Sequence, residues 1–284
     1  MIAITGATGQ LGRLVIDALL QRVPASEVLA LVRDPLKARD LTALGVTVRQ
    51  ADYSQPQTLA TALVGVERLL LISSNEIGQR TVQHRAVIDA AKAAGVKLLA
   101  YTSVLRADTS ALGLAAEHLA TEQALRASGL DHVLLRNGWY SENYSAGLPT
   151  ALEHGVLLGA AGQGRIASAA RADYAEAAAV VLTSEGQAGR VYELAGDSAY
   201  TLEQLAAQTA RQSGKPLVYQ NLSQEEYQAA LLGIGLPEGF AVLLADSDAA
   251  AAKGALFDDG QQLSRLIGRG TTPIADSVAA ALEG

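Results

Sequence analysis

Short apolar, β-branched runs alternate along this chain with longer Ala- and Leu-rich stretches of helical period. Ile2–Thr5, Val28–Arg33, Val46–Gln50, Arg68–Ser73, Val96–Thr102 and His132–Arg136 read as strands, with a helical stretch between each successive pair. Leu69-Leu70-Leu71-Ile72 is continuously apolar rather than alternating, the mark of a strand buried on both faces. Parallel strands need crossovers long enough to hold a helix, so the alternation predicts an α/β, doubly wound fold with a parallel sheet. Gly95 and Gly129 stand where helices must end in a left-handed residue before the next strand.

Past Arg136 the regular alternation loosens. Asn137–Tyr144 is polar and aromatic, Gly155–Arg165 is glycine-rich, a helix is predicted over Ala172–Thr183 and a strand over Val191–Leu194. From Thr201 onward the chain reads as helices with one strand at Leu217–Gln220. The expected division is a larger domain from 1–136 plus about 166–198, and a smaller C-terminal α/β lobe from about 137–165 plus 199–284.

Composition removes several classes of function. A formal charge of −7 with no run of Lys or Arg disfavours nucleic acid as a partner. The absence of cysteine excludes a disulfide framework, a thiolate metal site and a cysteine nucleophile, and it fits a reducing cytoplasm. The first residues enter a strand with no signal-like region, and no apolar stretch approaches a membrane span, so neither export nor a membrane partner is expected. His84, His118, His132 and His154 are scattered without ligand-like spacing, so no metal is expected. Oligomeric state is not legible, and a homodimer is compatible with all of this.

The run Ile4-Thr5-Gly6-Ala7-Thr8-Gly9-Gln10-Leu11-Gly12 places three glycines at spacing three directly after a strand and at the mouth of a helix. A loop without side chains lets backbone N–H groups approach a pyrophosphate, and the helix N-terminus adds positive partial charge. In the first strand–helix turn of an α/β chain, that pattern is the dinucleotide loop of a Rossmann domain. Arg33 ends the second strand, where such folds choose between cofactors. A guanidinium there pairs with a 2′-phosphate and favours NADPH. If the strand ends one residue later, the Asp34 carboxylate faces the ribose and NADH is favoured instead, and Lys37 is a further candidate for a phosphate site.

Thr5–Gly12, Val32-Arg33-Asp34-Pro35, Ala51-Asp52-Tyr53, Leu71-Ile72-Ser73-Ser74, Tyr101-Thr102-Ser103 and Leu135–Asn143 together resemble, in order, the atypical short-chain dehydrogenase/reductase family in its NmrA-like branch. Within the branch the chain is most similar to the bacterial flavin-free NADPH–quinone oxidoreductases, and next to the triphenylmethane dye reductases. The resemblance implies that Gly6, Ala7, Thr8, Gly9, Gln10 and Leu11 cradle the pyrophosphate and that Arg33 meets the adenosine phosphate. It places Asp52 and Tyr53 near adenine, and Ser73, Ser74 and Asn75 at the nicotinamide ribose. Asn137, Gly138, Trp139, Tyr140, Ser141 and Glu142 would flank the nicotinamide.

Typical short-chain dehydrogenases move a proton with a Tyr and a Lys four residues later on one helix face. None of the nine tyrosines here has that Lys. Related reductases often carry a Lys at the position aligned with His118. Two readings of His118 stand: a proton donor near neutral pH, or a partly buried helix residue paired with Glu122. A quinone accepts hydride directly and needs no strong acid, so losing the Tyr/Lys pair is consistent with that acceptor. His118, Tyr140 and Asn75 are the catalytic candidates. Trp139, Tyr140, Asn143 and Tyr144 are the candidates for contact with the acceptor, Trp139 being equally readable as core. The rival readings are an NADP-sensing regulator without turnover and a reductase of triphenylmethane dyes or other conjugated electrophiles.

Overall fold

A computed structural model describes residues 1–283. Six apolar runs form the strands β1 (Ile2–Ile4), β2 (Val28–Val32), β3 (Thr47–Gln50), β4 (Arg68–Leu71), β5 (Leu98–Val104) and β6 (His132–Asn137). A short strand β7 (Val156–Gly159) follows, then β8 (Val191–Leu194) and β9 (Val218–Asn221). The main sheet has the order β3-β2-β1-β4-β5-β6-β8, and every ladder from β3 to β6 is parallel. Leu29, Leu31, Leu69, Leu71, Leu99 and Tyr101 pack on one face with Leu59, Val87, Ile88 and Ala91 from the crossover helices. Ile4, Ala30, Leu70 and Ala100, at the intervening positions, are buried as well. Since neighbours along a strand point to opposite faces, both faces are covered and the fold is doubly wound.

The chain divides into two compact units. The first comprises Met1–Ala107, Ala116–Asn137 and Ala172–Tyr192. The second comprises Asp108–Ala115, Gly138–Arg171 and the chain from Glu193 onward. Residues 166–169 sit in the second unit because bridges tie Ile166 to Tyr200 and Tyr140 to Ala169.

Within the second unit, β7 and β9 pair in parallel as a separate two-stranded sheet. β7 lies in the stretch read only as glycine-rich, so it is an addition to the strands expected from the sequence. β9 runs one residue later than the predicted Leu217–Gln220, and the helix predicted from Ala172 begins at Arg171. Thr201 and Ser223 each start a helix through a capping box, with Gln204 and Glu226 respectively. Among the described residues no helix is long and apolar enough to cross a membrane.

Candidate active site

β1 opens into the glycine loop. Gly6 has φ +58°, a conformation that L side chains rarely adopt. A Cβ on Gly12 would stand 2.4 Å from the Gly6 carbonyl oxygen and 2.8 Å from Ala7 Cα, so only glycine lets the helix Gln10–Leu20 close onto the loop. A Cβ on Gly9 would lie 3.2 Å from the same oxygen. That helix starts at Gly9 with no side-chain cap and no acidic residue in its first turn. Its leading N–H groups and positive end therefore have no built-in anion, and the loop fits a pyrophosphate. Thr5 anchors the loop's root: its Oγ1 donates to the Leu70 carbonyl (3.1 Å) and accepts from Ile72 N (2.9 Å).

The end of β2 decides between Arg33 and Asp34. The strand stops at Val32, and Asp34 becomes the cap of the short helix Pro35–Ala38, accepting from Leu36 N at 2.9 Å. The carboxylate is thus used in turning the chain, while the exposed Arg33 guanidinium donates to Glu76 Oε1 at 3.2 Å. Lys37 and Arg39 are exposed and carry no ion partner among the described residues. Arg13 is paired with Asp40.

After β3, Asp52 closes an Asx turn, accepting from Ser54 N at 2.9 Å. Tyr53 is partly buried; its hydroxyl donates to the Ile72 carbonyl at 2.8 Å and also lies against Thr5 Oγ1, which links this turn to the ends of β1 and β4. Burial pushes its phenol above the ordinary range.

The loop after β4 is held from beneath. Ser73 N donates to Thr102 Oγ1 (2.9 Å) and Ser74 N to His84 Nε2 (2.9 Å), while the Ser74 carbonyl accepts from Arg80 Nε (2.6 Å). Since His84 Nε2 accepts, its proton sits on Nδ1, 2.9 Å from Thr121 Oγ1, which in turn donates to the Glu117 carbonyl. Burial, and secondly the charge of Arg80, lower the His84 pKa to about 3. Asn75 is exposed at the tip of this loop. Neither Arg80 nor His84 follows from the sequence motifs.

His118 lies on the helix Ala115–Ser128, buried, with Nδ1 2.8 Å from the Tyr101 hydroxyl. Burial first, then Arg80 and His84, bring its pKa down to about 3. Burial thus favours the neutral ring over the imidazolium that a proton donor near neutrality would use. In place of the pairing with Glu122, the ring meets the Tyr101 hydroxyl. Glu122, fully buried, accepts from Arg136 Nε (2.9 Å) and Nη2 (2.8 Å) and from Ser103 Oγ (2.6 Å).

In the second unit, Gly138 N donates to the Leu194 carbonyl at 2.7 Å and Ser141 N to the Ala169 carbonyl at 2.9 Å. Ser141 Oγ joins Ser168 Oγ (2.9 Å), which joins the Tyr200 hydroxyl (2.7 Å), all buried. Both Glu142 carboxylate oxygens accept from Arg171 N, at 2.9 and 3.0 Å, so this residue caps the helix beginning there. The Arg171 guanidinium lies 4.7 Å over the Tyr140 ring. Trp139 is 8% exposed and belongs to the core, the second of its two expected roles. Asn143 is exposed. Tyr144 donates to the buried Asp248 at 2.8 Å, and burial reinforced by that carboxylate raises its pKa well above the ordinary value. Asn137, at the end of β6, is buried in the first unit, and its carbonyl accepts from Leu105 N.

Residues 6–185 match the family described as NAD(P)H-binding. The chain is 63% identical to Quinone oxidoreductase 2 of Escherichia coli (strain K12) over 279 residues, which covers 98% of each protein. Its structure superposes on that of an Escherichia coli NADPH-dependent quinone oxidoreductase complexed with NADPH with a TM-score of 0.97, at 63% identity and covering 99% of both chains. The Citrobacter sp. triphenylmethane reductase complexed with NADP(H) matches with a TM-score of 0.96 at 42% identity, over 99% of this chain and 100% of that one. Glycine loop, sheet order and full-length similarity agree: the chain belongs to the NAD(P)H-binding family, in the NmrA-like branch of the atypical short-chain dehydrogenase/reductases.

Proposed function

We propose that this chain is an NADPH-dependent reductase that delivers hydride directly to a quinone, without flavin or metal. The observation that carries the proposal is the 63% identity, over nearly the whole of both chains, to a protein named quinone oxidoreductase. Gly6 to Leu11 hold the pyrophosphate on backbone N–H groups. Arg33, with Lys37 as a further candidate, takes the 2′-phosphate, supported by the consumption of Asp34 in its own cap. Asp52 and Tyr53 border the adenine. Ser73 to Asn75 are assigned to the nicotinamide ribose and Asn137 to Glu142 to the nicotinamide, as in the resemblance. The nicotinamide, when bound, supplies the hydride. Tyr140, beside the Arg171 charge, is the residue best placed by chemistry to donate a hydrogen bond to a developing phenolate oxygen. A neutral His118 orders its surroundings rather than supplying an acid. The zero cysteine count supports the cytoplasm as the compartment.

A conjugated dye is the second acceptor class, favoured by the 42% identity to the Citrobacter triphenylmethane reductase. The test follows absorbance of the reduced nicotinamide with purified protein, NADPH or NADH, and a benzoquinone, a naphthoquinone or a triphenylmethane dye. Rapid oxidation of NADPH by quinones, with NADH slower, is the expected result. Turnover with the dye alone moves the assignment to the second class. Tight NADPH binding without turnover of any acceptor refutes the enzyme and leaves a dinucleotide sensor.

A further inference from the structure

We propose that Glu76 sets the preference between the two nicotinamide cofactors, by holding Arg33 as a resident counter-anion that an adenosine 2′-phosphate must displace. The inference rests on the reading of Arg33 as the 2′-phosphate contact. Arg33 follows β2 and Glu76 lies in the loop after β4, and in the sheet order these two strands flank β1. The ion pair, 3.2 Å from Nη1 to Oε1, therefore spans the strand whose end opens into the glycine loop.

The carboxylate is held in place. Its Oε2 accepts from Gln83 Nε2 at 2.8 Å, and its own backbone N–H donates to Ser74 Oγ at 3.1 Å. Both partners are solvated, Arg33 at 65% and Glu76 at 44% side-chain exposure, so the pair is weak enough to be exchanged. A ribose with a free 2′-hydroxyl brings no charge and leaves the pair intact. A 2′-phosphate brings a second anion to the same guanidinium and is repelled by Glu76. Glu76 thus weakens binding of the phosphorylated cofactor and leaves the other unaffected.

The test measures equilibrium binding to the full chain by calorimetry, using NADPH and NADH, and then adenosine 2′,5′-bisphosphate and adenosine 5′-monophosphate as probes of the adenosine end alone. An exposed ion pair is worth a few-fold in an equilibrium constant, so Glu76→Gln should tighten NADPH and the bisphosphate about two- to fivefold at low salt. The gain should shrink as salt screens the charges, and NADH and the monophosphate should not respond. In an Arg33→Ala background the same substitution should give a smaller gain, since only the direct repulsion of the phosphate is left to relieve. If Arg33→Ala weakens NADPH but Glu76→Gln leaves it unchanged, or tightens all four ligands alike, the proposal is overturned and the reading of Arg33 stands. If Arg33→Ala itself leaves NADPH binding unchanged, the reading of Arg33 fails and the proposal falls with it.

Discussion

His84 should add to this protein's sensitivity to mild acid an increment that a single substitution removes. The ring is fully buried, its Nε2 accepts from Ser74 N, its Nδ1 faces Thr121, and Arg80 lies close enough to disfavour a second positive charge. Burial and that charge hold the folded-state pKa at about 3, against 6.5 for an unperturbed histidine. The unfolded chain therefore takes up a proton well before the folded one, so stability falls as pH drops below 6.5 and goes on falling toward 3. The loss approaches about 1.4 kcal/mol per pH unit and sums to about 3 kcal/mol between about pH 7 and about pH 4. Glutamine at position 84 retains an acceptor and a donor but cannot titrate. Urea unfolding of the wild type and His84→Gln across that range should show the wild type losing about 3 kcal/mol more than the variant. His118, with a pKa also near 3, is present in both proteins, and since His84 is the smallest of the three causes that lower it, most of its contribution cancels in the difference. Parallel pH profiles would refute the argument, because they would mean that the buried ring is protonated as readily as a free one.

Two further substitutions probe other parts of the first unit. Gly12→Ala brings a methyl group to 2.4 Å from the Gly6 carbonyl oxygen. It should cost about 1–3 kcal/mol by overpacking, with at least about tenfold weaker NADPH binding in a fluorescence titration; unchanged affinity would show that the loop does not hold the cofactor. Glu122→Gln removes a fully buried carboxylate charge from the guanidinium of Arg136, which is only 5% exposed. A loss of about 3–5 kcal/mol is expected by denaturant unfolding, and a loss below about 1 kcal/mol would mean that the pair is solvated.

Much of the fold was readable because the strands of a doubly wound sheet are unbroken apolar runs, as at Leu69–Leu71, separated by helices of clear period. β7 escaped because Val156-Leu157-Leu158 is a short run enclosed by glycines, and short apolar runs carry no period of their own. In the candidate site, the glycine loop was legible from order and spacing. The choice between Arg33 and Asp34 was not, since it hinges on whether a carboxylate meets Leu36 N or turns outward, a matter of one residue in the strand end. The partner of Glu122 was misjudged for a related reason. Reasoning along one helix reaches His118 and Arg126, each one turn away, and of these Arg126 pairs with Glu122; the buried partner, Arg136, comes from β6. A charged residue closing the apolar run Val133-Leu134-Leu135 was the visible hint that a buried counter-charge had to exist.

The grip on Ser74 has a thermodynamic consequence. His84 and Arg80 hold its amide and its carbonyl from below, so this loop loses its freedom when the domain folds rather than when a ligand arrives. Association at such an edge should carry little ordering entropy. Affinity there is then governed in part by side chains buried beneath the loop, and substitutions among them alter binding through the number of shapes the loop samples.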